Sequence, residues 1–349
     1  MRRATEQHID ATLAPMRQVP CRSVFQRFWF RASILTLLAL VGAKNADAQL
    51  SATTNNNVTV SQGSILYING TPIMPQLNFA VSGGETTCDT LSWTISIDWT
   101  APSGQQTSTT FNGQFACNQT ATVDWSSVGF AGGTAALSWT DDCGDAGNLS
   151  FSILGTNPPP SAVDSLTSTS SPPWFWLNIL AWESQAWHAS PTGIYHQFTS
   201  SGVPLNCNCP NGIGLTQLDP VSGGTFPNGN NDFWSWSVNE VDGYNLLVSK
   251  QSAASTNWNA ELADMLNNNG GQPSWAHWSQ GVCTFDASPP SGVPAAGAHS
   301  FADANWLKNY NGNYFIFWDP PANGNPGFWD INSAGLTTYV PNVCSSPAI

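Results

Sequence analysis

LSWTISIDW, residues 91–99, alternates without a break. Leu91, Trp93, Ile95, Ile97 and Trp99 are apolar, and Ser92, Thr94, Ser96 and Asp98 between them are polar. Successive side chains of a strand point to opposite faces, so this pattern predicts a strand with one face in a core and the other toward water. The same period returns in shorter runs at 77–81, 136–139 and 149–153, with Gly, Asn and Asp clusters between them. Short alternating strands separated by turn residues predict an all-β sandwich for residues 49–156. No catalytic constellation stands out in it, and a spacer or binding module is the expected role.

Toward the C-terminus, residues 157–173 read NPPPSAVDSLTSTSSPP, rich in Pro, Ser and Thr and almost free of large apolar groups. That composition predicts a partly extended linker and a domain boundary. Beyond it the period changes. Pro173 suits a first helical turn, and 174–187 reads as a helix that is apolar on nearly every face. Residues 238–252, 257–267 and 301–309 are further helical candidates, so 174–349 is expected to be mainly α-helical with long Gly-, Pro- and Asn-rich loops.

Toward the N-terminus, Arg2, Arg3, Arg17, Arg22, Arg27 and Arg31 precede an apolar run at 32–43 and the small triplet Ala46-Asp47-Ala48. This is the pattern of a secretory signal, predicted to occupy residues 1–48 and to place the chain outside the cell or in the periplasm and cell envelope. The apolar run is shorter than the about 20 residues of a membrane span, so no membrane insertion is expected after cleavage, with an uncleaved anchor as the alternative. Past residue 48 only Lys250 and Lys308 remain against 19 acidic side chains, a net charge of −17. Such a surface repels nucleic acid and anionic lipid, whose binding depends on Lys and Arg. A polymeric partner would be held by stacking and hydrogen bonds, for which the 17 Trp are suited.

Cys21 lies in the leader, and Cys88, Cys117, Cys143, Cys207, Cys209, Cys283 and Cys344 follow it. In an exported chain these read as disulfides, with one thiol of the first half left over. Cys207 and Cys209 complete no zinc pattern, and His188 and His196 do not have the spacing of a helical ligand pair, so neither metal nor cofactor is expected.

Glu183 is the first candidate for chemistry. On a helix it shares a stripe with Trp176, Ile179, Leu180 and Trp187. A carboxyl there is desolvated, which raises its pKa toward the range of a general acid at neutral pH. Three further features follow in order: Gly212-Ile213-Gly214-Leu215-Thr216-Gln217-Leu218-Asp219-Pro220, then Asn239 to Leu247 with Gly243 inside a helical pattern, then Tyr310-Asn311-Gly312. The glycines permit tight turns and close approach, and Gln217 offers an amide to sugar hydroxyls.

Glu183-Ser184, Gly-Leu-Thr-Gln, Asn-x-x-x-Gly-x-x-x-Leu and Tyr-Asn-Gly, taken together, resemble the signature of the lysozyme-like superfamily, specifically soluble lytic transglycosylases and goose-type lysozymes. The sandwich before them resembles an immunoglobulin-like domain. The resemblance implies a multidomain chain with an immunoglobulin-like β-sandwich at 49–156 and a mainly α, lysozyme-like α+β domain at 174–349. It implies cleavage of the β-1,4 bond between N-acetylmuramic acid and N-acetylglucosamine in peptidoglycan. Glu183 would be the acid/base and Asp219 a second carboxyl that positions water. Ser184, Gly214, Leu215, Gln217, Tyr310 and Asn311 would line the substrate site. The longer spacing between Glu183 and Gln217, and the insertion at 268–300, depart from the family. The alternative is a non-catalytic, glycan-binding or adhesive secreted protein that keeps the lysozyme-like fold.

Overall fold

The structure is a computed structural model that describes residues 49–82, 89–101, 104, 106–117, 119–168, 171–185, 193–206, 212–220, 226–267, 274–275, 301–312, 314–324, 327–331, 339–346 and 349. The expected signal at 1–48, together with His188, Cys207, Cys209 and Cys283, lies outside these residues.

The alternating stretch is β5 (Thr90–Thr100), with Leu91, Ile95, Ile97 and Trp99 buried and Asp98 exposed. It follows β1 (Gln49–Thr54), β2 (Thr59–Val60), β3 (Ile65–Ile68) and β4 (Leu77–Ser82), and precedes β6 (Gln106–Ala116), β7 (Thr120–Thr122), β8 (Gly133–Asp141) and β9 (Ala146–Gly155). They form two sheets, β2-β1-β4-β7 and β3-β9-β8-β5-β6. Every pairing is antiparallel except that of β3 with β9. Both sheets contribute to one core, in which Ala52, Leu77 and Phe79 meet Ile95, Leu137 and Phe151. Phe79 packs edge-on against Trp93 and Phe115, at 5.2 and 5.4 Å between ring centroids.

That core does not end at residue 156. Phe198, Ile213, Leu218, Phe226, Phe233 and Trp234 belong to it. Trp99 meets the rings of Phe233 and Trp234 edge-on at 5.4 and 5.7 Å. Polar ties cross the same boundary. Asn230 Nδ2 donates to Thr109 Oγ1 (2.6 Å), the Phe130 amide to Asn231 Oδ1 (2.8 Å), and Trp236 Nε1 to the Gly70 carbonyl (2.8 Å). Gly132 is needed where it stands, because a Cβ there would lie 2.3 Å from the Trp234 ring. Residues 45–349 accordingly form one compact unit.

The stretch expected to be an extended linker is a helix over much of its length, α1 (Pro160–Ser168). Pro160 opens it, where a missing amide hydrogen costs nothing, and Val163 is fully buried in the second core. Ala162 and Leu166 pack against the same core, so a few apolar side chains on a Ser/Thr-rich helix dock the segment, a signal that composition hides.

The second core is helical. It gathers Phe175, Trp176, Ile179 and Leu180 around α2 (Trp176–Gln185), Trp236, Leu247 and Met265 of α4 (Trp236–Asn267), Ala304 and Leu307 of α5 (Phe301–Tyr310), and Val340 and Val343 of α6 (Tyr339–Ser345). The short α3 (Asn230–Trp234) leads into α4. The two helices expected at 238–252 and 257–267 are one helix of 32 residues. No Gly or Pro interrupts Ala253-Ala254-Ser255-Thr256 between them, so nothing there stops propagation. A small sheet orders as β10-β12-β11, from Ser274–Trp275 (β10), Ile316–Asp319 (β11) and Phe328–Ile331 (β12). Cys143 and Cys344 each take part in a disulfide, whereas Cys117, just past β6, is a free thiol.

Candidate active site

Glu183 sits in the last turn of α2 and is only 8% exposed, on a helix whose Trp176, Ile179 and Leu180 are buried; Trp187 of the expected stripe lies outside the described residues. One group answers it directly. Tyr339, the first residue of α6, donates its hydroxyl to Glu183 Oε1 at 2.5 Å. Two effects then oppose each other at this carboxyl. Burial favours the neutral form, the Tyr339 hydrogen bond favours the ionised one, and the charge of Asp219 adds to the first. Burial is the larger, and the pKa is pushed up to about 7.

Tyr310, at the end of α5, belongs to the same cluster. Its hydroxyl donates to the Thr216 carbonyl at 3.1 Å, and its ring lies edge-on to Trp176 at 6.4 Å. Burial and the neighbouring charge of Glu183 hold the phenols of both Tyr310 and Tyr339 well above their ordinary range, so each remains a donor.

The turn at 213–217 is held from below by two buried amides. Gln197 accepts from the Leu215 amide at 2.8 Å and donates to the Phe233 carbonyl at 2.9 Å. Asn239 accepts from the Thr216 amide at 2.9 Å and donates to the Ile213 and Asp232 carbonyls at 3.0 and 3.1 Å. Gly214 has a φ of +76°, and a Cβ there would meet both amides at 2.6–2.7 Å. The glycine is required by the protein's own packing, where the sequence suggested approach of a ligand. Gly243 in α4 plays the matching part, since a Cβ there would lie 2.5 Å from Thr216 Cβ.

The structure therefore brings Glu183, Tyr310 and the 214–219 turn together. Asp219 is exposed, close enough to raise the pKa of Glu183, and its own pKa is raised by partial desolvation. Gln217 is half-buried with a φ of +48°, and its Nε2 donates to the Gly214 carbonyl at 2.6 Å, so part of its amide is spent on its own turn. Ser184 and Leu215 are completely buried, beneath any surface a polymer touches. Asn311 Oδ1 is buried and meets no donor among the described residues. His196 is buried with Nδ1 3.2 Å from Asn157 Nδ2, a place in the core. Among the described residues no three His, Cys, Asp or Glu side chains converge as metal ligands.

Sequence reasoning missed Tyr339 and Gln197. Tyr339 begins a seven-residue helix that carries Pro341 in its first turn, too short to show a period. Its one signal is the apolar set Tyr339, Val340, Val343 and Cys344, all buried on that helix. Gln197 lies in irregular backbone, where a residue chosen for main-chain hydrogen bonds leaves no periodic mark.

No protein family, curated protein or solved structure matches the chain. What the site does is read from its own chemistry.

Proposed function

We propose that the protein is an exported enzyme that cleaves the β-1,4 bond between N-acetylmuramic acid and N-acetylglucosamine in peptidoglycan, with Glu183 as general acid/base. On this reading the helical half is a lysozyme-like domain, and the paired sheets are an immunoglobulin-like accessory layer fused to it.

The observation that carries the reading is a desolvated carboxyl poised near pH 7 with one oxygen already tied to a phenol. Tyr339 occupies Oε1, which leaves Oε2 for the leaving group. A protonated Glu183 gives its hydrogen from Oε2 to the bridging oxygen as the glycosidic bond breaks, and the carboxylate that forms keeps the Tyr339 hydrogen bond. The cation-like sugar then needs a nucleophile. With Asp219 holding a water on the opposite face and taking its proton, the water oxygen bonds to the sugar carbon and the product has a reducing end. Without that water the sugar's own 6-hydroxyl attacks, loses its proton to Glu183 and closes an anhydro ring.

Incubation with purified sacculi and mass spectrometry of the soluble products tests this. Disaccharide-peptides with either end support it, and the end found tells hydrolysis from transglycosylation. Sacculi bound but left intact by the wild-type protein would instead favour the lectin-like alternative.

A further inference from the structure

The β-half carries a surface that the proposed chemistry does not use. β3 is the end strand of its sheet, paired only with β9 among the described residues. Its alternation buries Leu66 and Ile68 and leaves Ile65 and Tyr67 outside, 50% and 54% exposed. End strands are usually blunted by charge or proline, and Ile65-Leu66-Tyr67-Ile68 has neither.

Two grooves of about 440 and 800 Å³ adjoin this strand, and Ile65 and Tyr67 line both. Ile73, 57% exposed, adds apolar area to the first. The polar lining consists of amides and hydroxyls, such as Asn56, Asn69 and Gln76 in one groove and Ser200 in the other. Among the described residues neither lining contains a charged side chain. A partner recognised by ion pairs finds nothing here. A second copy of the chain would bring the same negative charge, −13 over the full sequence, which opposes self-association. A neutral sugar chain fits on each count: its C–H faces stack on a phenol ring and aliphatic carbons, and its hydroxyl and acetamido groups pair with amides and hydroxyls. The combined volume exceeds that of an ordinary single-ligand pocket, about 300–1,000 Å³, as a chain of several rings requires.

We propose that the face around Tyr67 is a second glycan-binding site, which takes a neutral N-acetylhexosamine chain stacked on the Tyr67 ring. The ligand class follows the proposed substrate, but neither Glu183 nor the 214–219 turn is among the described lining of either groove, and the site can be tested without turnover.

The test is retention on insoluble chitin and on purified sacculi in the Glu183→Gln background, with and without Tyr67→Ala or Tyr67→Phe. Tyr67 is exposed, so neither change touches a core. We expect Tyr67→Ala to weaken retention about fivefold to tenfold, the scale of one aromatic stacking contact, and Tyr67→Phe to keep most of it. Retention should survive about 1 M NaCl, which screens charge beyond about 3 Å. Undiminished retention of Tyr67→Ala, loss of binding in salt, or a solution dimer that Tyr67→Ala dissociates would each overturn the proposal. If Tyr67 governs retention while the protein with Glu183 intact releases no fragments, the second site stands and the cleavage reading falls.

Discussion

Tyr339 and Glu183 are 156 residues apart in sequence and 2.5 Å apart in space, hydroxyl to carboxylate. The bond joins the C-terminal helix to the end of α2, and it opposes the desolvation that raises the Glu183 pKa.

Removing that hydroxyl has a definite sign. In Tyr339→Phe the carboxylate loses a donor worth about 1.5–3 kcal/mol to a charged acceptor, so its pKa climbs further. We expect the alkaline limb of the pH–rate profile to move to higher pH, while the maximal rate falls because the acid is less well held. A limb that moves to lower pH, measured on sacculi at constant ionic strength, would contradict this.

The buried acids also set how stability varies with pH. Burial pushes Glu183 and Glu240 up to about 7 from an ordinary value of 4.5. The folded state binds their protons more tightly than the unfolded chain does, so the stability these two acids contribute is fully present below about pH 4.5 and is lost as pH rises through about 7. Glu240 is 2% exposed, and Thr167 donates to its Oε1 at 2.5 Å, a bond that an amide also accepts. Glu240→Gln should therefore flatten the curve and stabilise the protein at pH 8 by about 1–3 kcal/mol. Urea unfolding at pH 5 and pH 8 reads this difference.

Gly243→Ala places a methyl 2.5 Å from Thr216 Cβ, and the neighbour is a well-anchored turn. Overpacking of this kind costs about 1–3 kcal/mol. Because Thr216 also accepts from Tyr310, we expect activity to fall by more than the loss of folded protein explains. Thermal melts paired with rates at a temperature where the variant is fully folded separate the two losses.

The two halves should not survive separation. A fragment of residues 157–349 exposes Phe233 and Trp234 and loses Trp99, which packs on both. We expect it to be insoluble or molten. Trp234→Ala in the whole chain should cost about 3–5 kcal/mol. A soluble fragment with a sharp melting transition would restore the linker reading of 157–173.

The strands were legible because period-two alternation is a strong local signal, and 91–99 carries it with five apolar residues in register. The helix around Glu183 was legible for a different reason, the loss of that alternation in an apolar run just after Pro173. The joint between the halves was not. Trp99 and Trp234 are 135 residues apart, and only the tertiary arrangement makes them neighbours. Nor could sequence separate a glycine kept for a ligand from one kept for protein packing, and Gly214 is the second kind. Tyr339 was hidden because its partner is on another helix and its own helix is too short to be periodic.

The most direct measurement is the rate at which purified sacculi release soluble fragments with the unsubstituted protein and with Glu183→Gln, both shown folded by circular dichroism. Loss of a general acid costs about a hundredfold to ten-thousandfold, and we expect a fall in that range with stability at pH 7 unchanged or raised. A folded Glu183→Gln protein that clears sacculi at the unsubstituted rate would contradict the assignment of Glu183 as the acid.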